Sequence, residues 1–404
     1  MNANKNLLTE MNQDISVVIP AYFNLDEFKV TFANLLSQSK QSKEIIIIDS
    51  SKDDLIQDYI ESISDIEETD IIYVRSQERL FPGAARNLGA SLAKHYWIAF
   101  LDSKTIPSSD WLKLTLDTAI SYKADLVFGK TKYKACTTFQ FFVIASTYGY
   151  DPIITLPGTL ISREKFLLTN GFNSMVRSGE DIKWRAEASK KFTHINVDDE
   201  VALSYSSLPK SLYKAAKKFF TYQMHGALVD IQINAKSVFL AIFLIIISLI
   251  VPRWNSLLPG WDEHPLYIPD ITKIYILSIT FVAMFLLIFN RSILAFESNS
   301  PIARAFKLAI LILALTLALR WNYVVAGFVE SSSLYIPHVT KIFLSLIGIS
   351  ALYFRGIYFP FKNGLMSKDI FPFRWIGVGM IGIILDIIKG PGYIIGAIWK
   401  ILKI

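Results

Sequence analysis

Long, nearly uninterrupted apolar runs at residues 237–251, 274–289, 308–319 (continuing through 324–328) and 342–354 limit most strongly what this chain can fold into. A helix that crosses a bilayer needs about 20 mostly apolar residues, a length these runs reach with their flanks or continuation. About four membrane-spanning helices are therefore expected within residues 236–358. Orientation follows from the basic residues near the span ends. One side holds Lys210, Lys214, Lys217, Lys218 and Lys236, then Arg291, Arg304 and Lys307, then Arg355, Lys362, Lys368 and Arg374. The other side holds only Arg253, Lys273 and Lys341. The richer side is the cytoplasmic one, so residues 1–235 are expected in the cytoplasm and the chain in the cell inner membrane. Residues 1–14 are polar and do not read as a secretory leader.

Charge follows the same division. The chain carries a formal net charge of +6, but residues 1–235 hold 26 Lys and Arg against 28 Asp and Glu, and residues 236–404 hold 15 against 7. The excess is topogenic and faces membrane lipids, so nucleic acid is not expected as a partner. Residues 209–235 read as an interfacial amphipathic helix and linker. There Leu212, Ala215, Phe219, Phe220 and Met224 interleave with four lysines, a pattern suited to an anionic leaflet. Residues 359–404 are ambiguous, because two short apolar pieces flank Asp386, Lys389 and the breaker Gly390, Pro391, Gly392. An interfacial helical hairpin is preferred to a broken fifth span, since Asp386 and Lys389 then reach water.

Residues 1–208 have a different texture. Short runs rich in β-branched and aromatic residues at 15–20, 44–49, 70–75, 96–102 and 124–129 alternate with helix-like stretches at 26–36, 55–64, 84–94 and 110–121. Such alternation indicates an α/β fold, a mostly parallel sheet with helices on both faces, with ligands held at the carboxyl ends of the strands. Polar residues stand at those ends: Pro20, Ala21 and Tyr22; Asp49 and Ser51; Asp102 and Lys104. No GxGxxG or GxxxxGK[ST] loop is present, so neither the dinucleotide nor the P-loop mode of holding phosphate applies. The five histidines lack HxxH or HExxH spacing, and the single Cys136 rules out a cysteine-rich metal site.

The strings SVVIPAY (16–22), IIIIDSSKDD (45–54), PGAARNLGA (82–90), FLDSK (100–104) and SGEDIKWR (178–185) together resemble the ordered signature of family 2 glycosyltransferases with the GT-A fold. The resemblance implies a nucleotide-sugar donor. Pro20, Ala21, Tyr22, Asp49 and Ser51 would line the base and ribose, Arg86 and Asn87 would border the diphosphate, and Asp102 would match the first carboxylate of the DxD motif. It also implies that Asp181, paired with Glu180, is the base of an inverting transfer, taking a proton from an acceptor hydroxyl. A lipid-linked, polyprenyl acceptor at the cytoplasmic face is the expected second substrate. Simpler roles stay open: Asp49 as a turn cap, and Glu180 with Asp181 as acidic residues matched to a helix dipole.

Position 104 departs from the pattern. Where a DxD motif has its second carboxylate, Lys104 stands, and three readings follow: the Lys104 ammonium replaces part of the metal's charge, Asp102 still holds Mg²⁺ or Mn²⁺ with water and diphosphate oxygens, or the domain has lost activity. Residues 223–226 keep only the glutamine of the processive QxxRW motif, so a single sugar addition is expected. Two alternatives remain: a transferase to polyprenyl phosphate, and a non-catalytic nucleotide-sugar-sensing membrane protein.

Overall fold

The computed structural model describes residues 13–63, 68–229, 231, 349 and 351–402. The four expected membrane spans at 236–358 lie almost wholly outside them. Two compact units divide the chain: Met1–Ala215 with Phe359–Val378, and Ala216–Tyr358 with Gly379–Ile404.

The first unit is built on one eight-stranded sheet. β1 (Ile15–Ala21) pairs in parallel with β2 (Glu44–Asp49) and β4 (Trp97–Phe100), and β3 (Asp70–Arg75) adds to β2. β6 (Ile153–Ser162) is antiparallel to β4 and to β5 (Leu126–Tyr133), and the short β7 (His194–Asn196) and β8 (Leu203–Tyr205) run parallel to β5. The order is β3-β2-β1-β4-β6-β5-β7, with β8 also on β5. The fold class expected from the alternation is thus present, a mixed and mostly parallel sheet between helices.

β-Branched residues build the centre because they tolerate burial on both faces of a pleated surface. All six residues of β2 are buried, as are Val17, Val18 and Ile19 of β1. On one face Phe28, Phe32 and Leu35 of α1 (Leu25–Leu36) join Ile56 of α2 (Leu55–Glu61) and Trp111, Leu112 and Leu116 of α4 (Trp111–Ser121). On the other, Ala85 and Ala90 of α3 (Pro82–Leu92) pack with Trp184 and Ala188 of α7 (Glu180–Lys191) and with Phe166 of α6 (Arg163–Leu167). The chain leaves β1 to build β2 and β3 on one side and returns to place β4 on the other. That reversal opens a crevice at the carboxyl ends of β1 and β4.

Residues 132–152 include α5 (Thr138–Val143), followed by a π-helical turn at Ile144–Tyr148. The segment Phe359–Val378 carries α9 (Phe359–Lys362) and α10 (Ser367–Ile370) and belongs to this unit, with Leu365, Ile370 and Val378 clustered against Ala145.

The C-terminal hairpin is corrected by the structure. Arg374–Leu402 is one continuous helix, α11, with Pro391 inside it. One of the residues expected to break it, Gly392, joins Gly396 in a close-packing face instead. A Cβ on Gly392 would stand 2.6 Å from the Phe220 carbonyl oxygen, and one on Gly396 would collide with that of Met224, both carbonyls on α8 (Leu212–Leu228). Nor do Asp386 and Lys389 reach for water. Asp386 accepts from Arg355 Nε at 2.5 Å and Lys389 Nζ at 3.0 Å, and pairing replaces hydration. Among the described residues, Arg374–Lys400 is the one stretch long and apolar enough to cross a membrane.

Candidate active site

The loop after β1 is drawn onto its neighbours by short polar contacts. Asp49, at the end of β2, is fully buried, and its Oδ1 accepts from the Ser51 backbone N–H at 2.8 Å and the Ser51 hydroxyl at 2.6 Å. Its Oδ2 accepts from the Tyr73 hydroxyl at 2.9 Å. Burial, then the charge of Asp49, pushes the Tyr73 phenol well above its ordinary range and keeps it a donor. Ser51 Oγ accepts the Phe23 N–H at 2.8 Å, so Asp49 orders the β1 loop through Ser51. Asp49 therefore caps its turn, and its neighbours Ser50, Ser51 and Lys52 line the adjoining cavity.

That cavity, of about 480 Å³, is lined by Tyr22, Ser51, Lys52, Arg75, Ser76 and Arg79, among others. The Arg79 guanidinium lies 4.6 Å from the Tyr22 ring centroid. An aromatic face and a planar cation at the strand ends suit a flat, electron-rich ligand group. Pro20 is half-buried and Ala21 buried, so both shape the floor through backbone more than side chain.

The second half of the site lies where β4 ends. Residues 102–105 turn back on themselves, with the Thr105 N–H and hydroxyl both donating to the Asp102 carbonyl oxygen at 3.0 and 2.7 Å. Asn24 ties this turn to the β1 loop: its Nδ2 donates to Ser103 Oγ at 2.6 Å, while its Oδ1 accepts the Tyr22 N–H at 3.1 Å. The buried Arg86, in α3, donates from Nη2 to Asp102 Oδ1 at 2.6 Å and from Nη1 to Glu180 Oε1 at 3.0 Å. One guanidinium thus bridges the β4 turn and the first turn of α7.

Close backbone approach makes this possible. Pro82 opens α3, where a missing N–H costs nothing. Gly83 follows, and a Cβ there would meet the Asn173 carbonyl oxygen at 2.5 Å and Glu180 Cγ at 3.1 Å. Gly179, with φ of 89°, lets the chain enter α7 from the left-handed region. Asn87 clasps the loop before α7, donating to the Phe172 carbonyl at 2.8 Å and accepting the Phe172 N–H at 2.8 Å.

Electrostatics differ along the bridge. Burial opposes the charge on Arg86, but Asp102 and Glu180 outweigh it and hold the guanidinium firmly protonated. Glu180 is 4% exposed, and its Oε2 has no hydrogen-bond partner. Burial raises its pKa to about 7, against the pull of Arg86. Asp181, the next residue in the same first turn, is half-buried.

The expected residues are thus sorted by the structure. Asp102, Arg86 and Glu180 meet directly; Tyr22 and Ser51 share the cavity; Asn87 and Asp49 hold loops. Lys104 stands two residues beyond Asp102, its Nζ 3.8 Å from Glu27 Oε1 of α1, with both side chains part-exposed. Lysine at position 104 leaves Asp102 as the one carboxylate of this turn, and its Oδ1 lies against a guanidinium. A divalent cation here would have Asp102 alone from this turn and would need diphosphate oxygens and water to complete its shell; among the described residues no group of three or more His, Cys, Asp or Glu is gathered. Sequence reasoning missed Asn24, Tyr73, Arg79 and Arg185. Arg79 was within reach, since a cation shortly after the β3 end obeys the strand-end rule.

The description Glycosyl transferase family 2 matches residues 16–171. Relatives include the β-1,3-glucosyltransferase WfaP of Escherichia coli, named for UDP-Glc and α-D-GlcNAc-diphosphoundecaprenol. It is 37% identical over 89 residues, covering 22% of this chain and 34% of WfaP. Chondroitin synthase of Escherichia coli is 22% identical over 185 residues, 45% of this chain and 25% of the relative. The poly(ribitol-phosphate) β-glucosyltransferase of Bacillus spizizenii is 29% identical over 120 residues, 29% of this chain and 19% of the relative. The chain spans about a third or less of the length of these curated relatives. Among solved structures, the mannosyltransferase PcManGT from Pyrobaculum calidifontis, in complex with GDP-Man and Mn²⁺, aligns with a TM-score of 0.47 at 12% identity, covering 93% of this chain and 86% of its own. S. aureus TarS 1–349 in complex with UDP-GlcNAc aligns at 0.43 and 14%, covering 78% and 92%.

Proposed function

We propose, from the match of residues 16–171 to the description Glycosyl transferase family 2, that this chain is a membrane-anchored inverting glycosyltransferase. It moves a sugar from a nucleotide-sugar to a hydroxyl of a lipid-linked acceptor at the cytoplasmic face. The supporting observation is the Arg86 bridge, which joins the turn carrying Asp102 and Lys104 to the helix turn carrying Glu180 and Asp181. Donor-side and acceptor-side groups are thereby held at one sheet edge.

The Tyr22 and Arg79 cavity receives the nucleoside. Asp181 takes the acceptor hydroxyl proton as that oxygen bonds to the anomeric carbon, and the bond from that carbon to the diphosphate oxygen breaks with its electron pair leaving on the nucleoside diphosphate. Lys104 offsets the charge developing on that leaving group, as a lysine point charge does for phosphate. Retention beside the acceptor comes from the apolar runs of residues 236–358 and from α11, 27 residues of which have the length and composition of a span. The WfaP relative, named for a diphosphoundecaprenol-linked acceptor, points to the same substrate class.

The test is sugar transfer by the detergent-purified full chain, with nucleotide-sugars offered alongside synthetic lipid-linked acceptors. Asp181→Asn is expected to lower turnover by about 10³-fold, a typical general-base contribution. A variant retaining most activity would instead favour polyprenyl phosphate as acceptor, since an ionised phosphate oxygen needs no base. Activity is expected to survive EDTA, and a complete loss restored by Mn²⁺ would remove the role given to Lys104.

A further inference from the structure

One turn beyond Asp181, α7 carries a second charged residue with its own unmet chemistry. Residues i and i+4 share a helix face, so Arg185 stands on the side of α7 that presents Asp181. Its Nη1 donates to the Ile154 carbonyl of β6 at 2.7 Å, which fixes the guanidinium over the edge of the sheet. Its Nε is enclosed and has no hydrogen-bond partner. Burial lowers its pKa while the charges of Asp181 and Tyr133 favour the cation, and guanidinium stays protonated under such shifts. Leaving a buried donor unpaired is costly, and a cation held beside the proposed base at that cost needs a reason.

The surroundings supply one. Tyr133, at the end of β5, stacks on Tyr148 with ring centroids 4.0 Å apart and planes 13° from parallel. Tyr205 of β8 meets Tyr133 edge-on at 5.3 Å. Aromatic faces pack the C–H surfaces of sugars while hydroxyl tips reach polar groups. A guanidinium fork beside them recognises phosphate oxygens, with geometry an ammonium cannot reproduce.

Resting on the transferase reading above, we infer that Arg185 and the Tyr133–Tyr148 stack form an acceptor subsite for a saccharide carrying a phosphate or diphosphate. Arg185 grips the anionic oxygens, and the stacked rings support the sugar whose hydroxyl faces Asp181. This makes the acceptor anionic at its reducing end and gives the enzyme a way to reject a neutral glycan. Arg185 is a specificity residue here and takes no proton.

The experiment compares two acceptors on the full chain: an alkyl-diphosphate-linked GlcNAc and the neutral alkyl glycoside of GlcNAc. Wild type is expected to prefer the diphosphate by about tenfold or more in kcat/KM, the worth of one charge-assisted contact. In Arg185→Gln that ratio collapses towards unity, and Arg185→Lys restores part of it. A ratio that stays the same in Arg185→Gln, or a wild type indifferent to the diphosphate, overturns the subsite. Should wild type transfer to neither acceptor, the transferase reading fails on its own. The subsite is then judged by calorimetry of GlcNAc 1-phosphate with UDP present: binding lost in Arg185→Gln supports it, and equal or absent binding to wild type refutes it. Circular dichroism of each variant separates loss of fold from loss of recognition.

Discussion

Two ionic clusters, one in each unit, use similar groups to opposite ends. In the first unit one cation, Arg86, serves two carboxylates, Asp102 and Glu180. In the second, two cations, Arg355 and Lys389, serve one carboxylate, Asp386. The first is left open: the Asp102 side chain is 36% exposed and Glu180 Oε2 has no partner. The second is closed: no side chain in it exceeds 14% exposure, and both Asp386 oxygens are engaged. A network with spare capacity at a strand end can act on a ligand. A buried network whose charges pair with one another among apolar helices mainly lets those charges exist there.

Substitution of Arg86 should produce the largest effect and tests the comparison from the open side. Arg86→Met leaves Glu180 buried without its cation, and about 3–5 kcal/mol of stability should be lost in denaturant unfolding. Arg86→Lys keeps the charge without the two-pronged reach, so it should fold yet transfer sugar at least tenfold more slowly. If Arg86→Lys matched wild type in turnover, the bridge would be scaffolding like the second cluster. From the closed side, Asp386→Asn should lower stability by about 3 kcal/mol while the molecules that remain folded keep their turnover. A turnover defect in folded Asp386→Asn would erase the distinction between the clusters.

The smallest expected effect concerns pH. Glu180 is raised on folding from its ordinary 4.5 to about 7, so between those values the folded chain binds more protons than the unfolded one. Stability contributed by the protonated group is then complete below pH 4.5 and declines as pH rises to about 7. Thermal unfolding of wild type should show that decline, and Glu180→Gln, which cannot ionise, should flatten it. An unchanged slope would place the titration elsewhere.

Much of the fold was legible because parallel strands buried on both faces leave uniform β-branched runs, and four of these coincide closely with β1, β2, β3 and β4. β6 was missed, since Pro157 and Gly158 interrupt its pattern, and β7 and β8 are too short to show periodicity. The expectation that Tyr22, Asp49, Asp102 and Lys104 stand at the carboxyl ends of strands agrees with the bounds of β1, β2 and β4. The clasp of Asn87 on Phe172 was not legible, because Phe172 lies 85 residues away along the chain. The tail failed for a related reason. Gly390, Pro391 and Gly392 are breakers in isolation, but a packed partner backbone rewards small residues more than local propensity penalises them.

By itself the sequence determined where charge and apolar surface concentrate, which segments alternate as strand and helix, and which residue types stand at strand ends. These follow from local composition and spacing. Tertiary structure alone decided that Arg86 joins Asp102 to Glu180, that Asn24 ties two loops, that Arg185 stands over Ile154 beside Tyr133, and that α11 runs unbroken. Each is a contact between residues distant in sequence or a response to burial. Neither burial nor a long-range partner is written in a residue's neighbours; both arise only when the sheet brings its strand ends together.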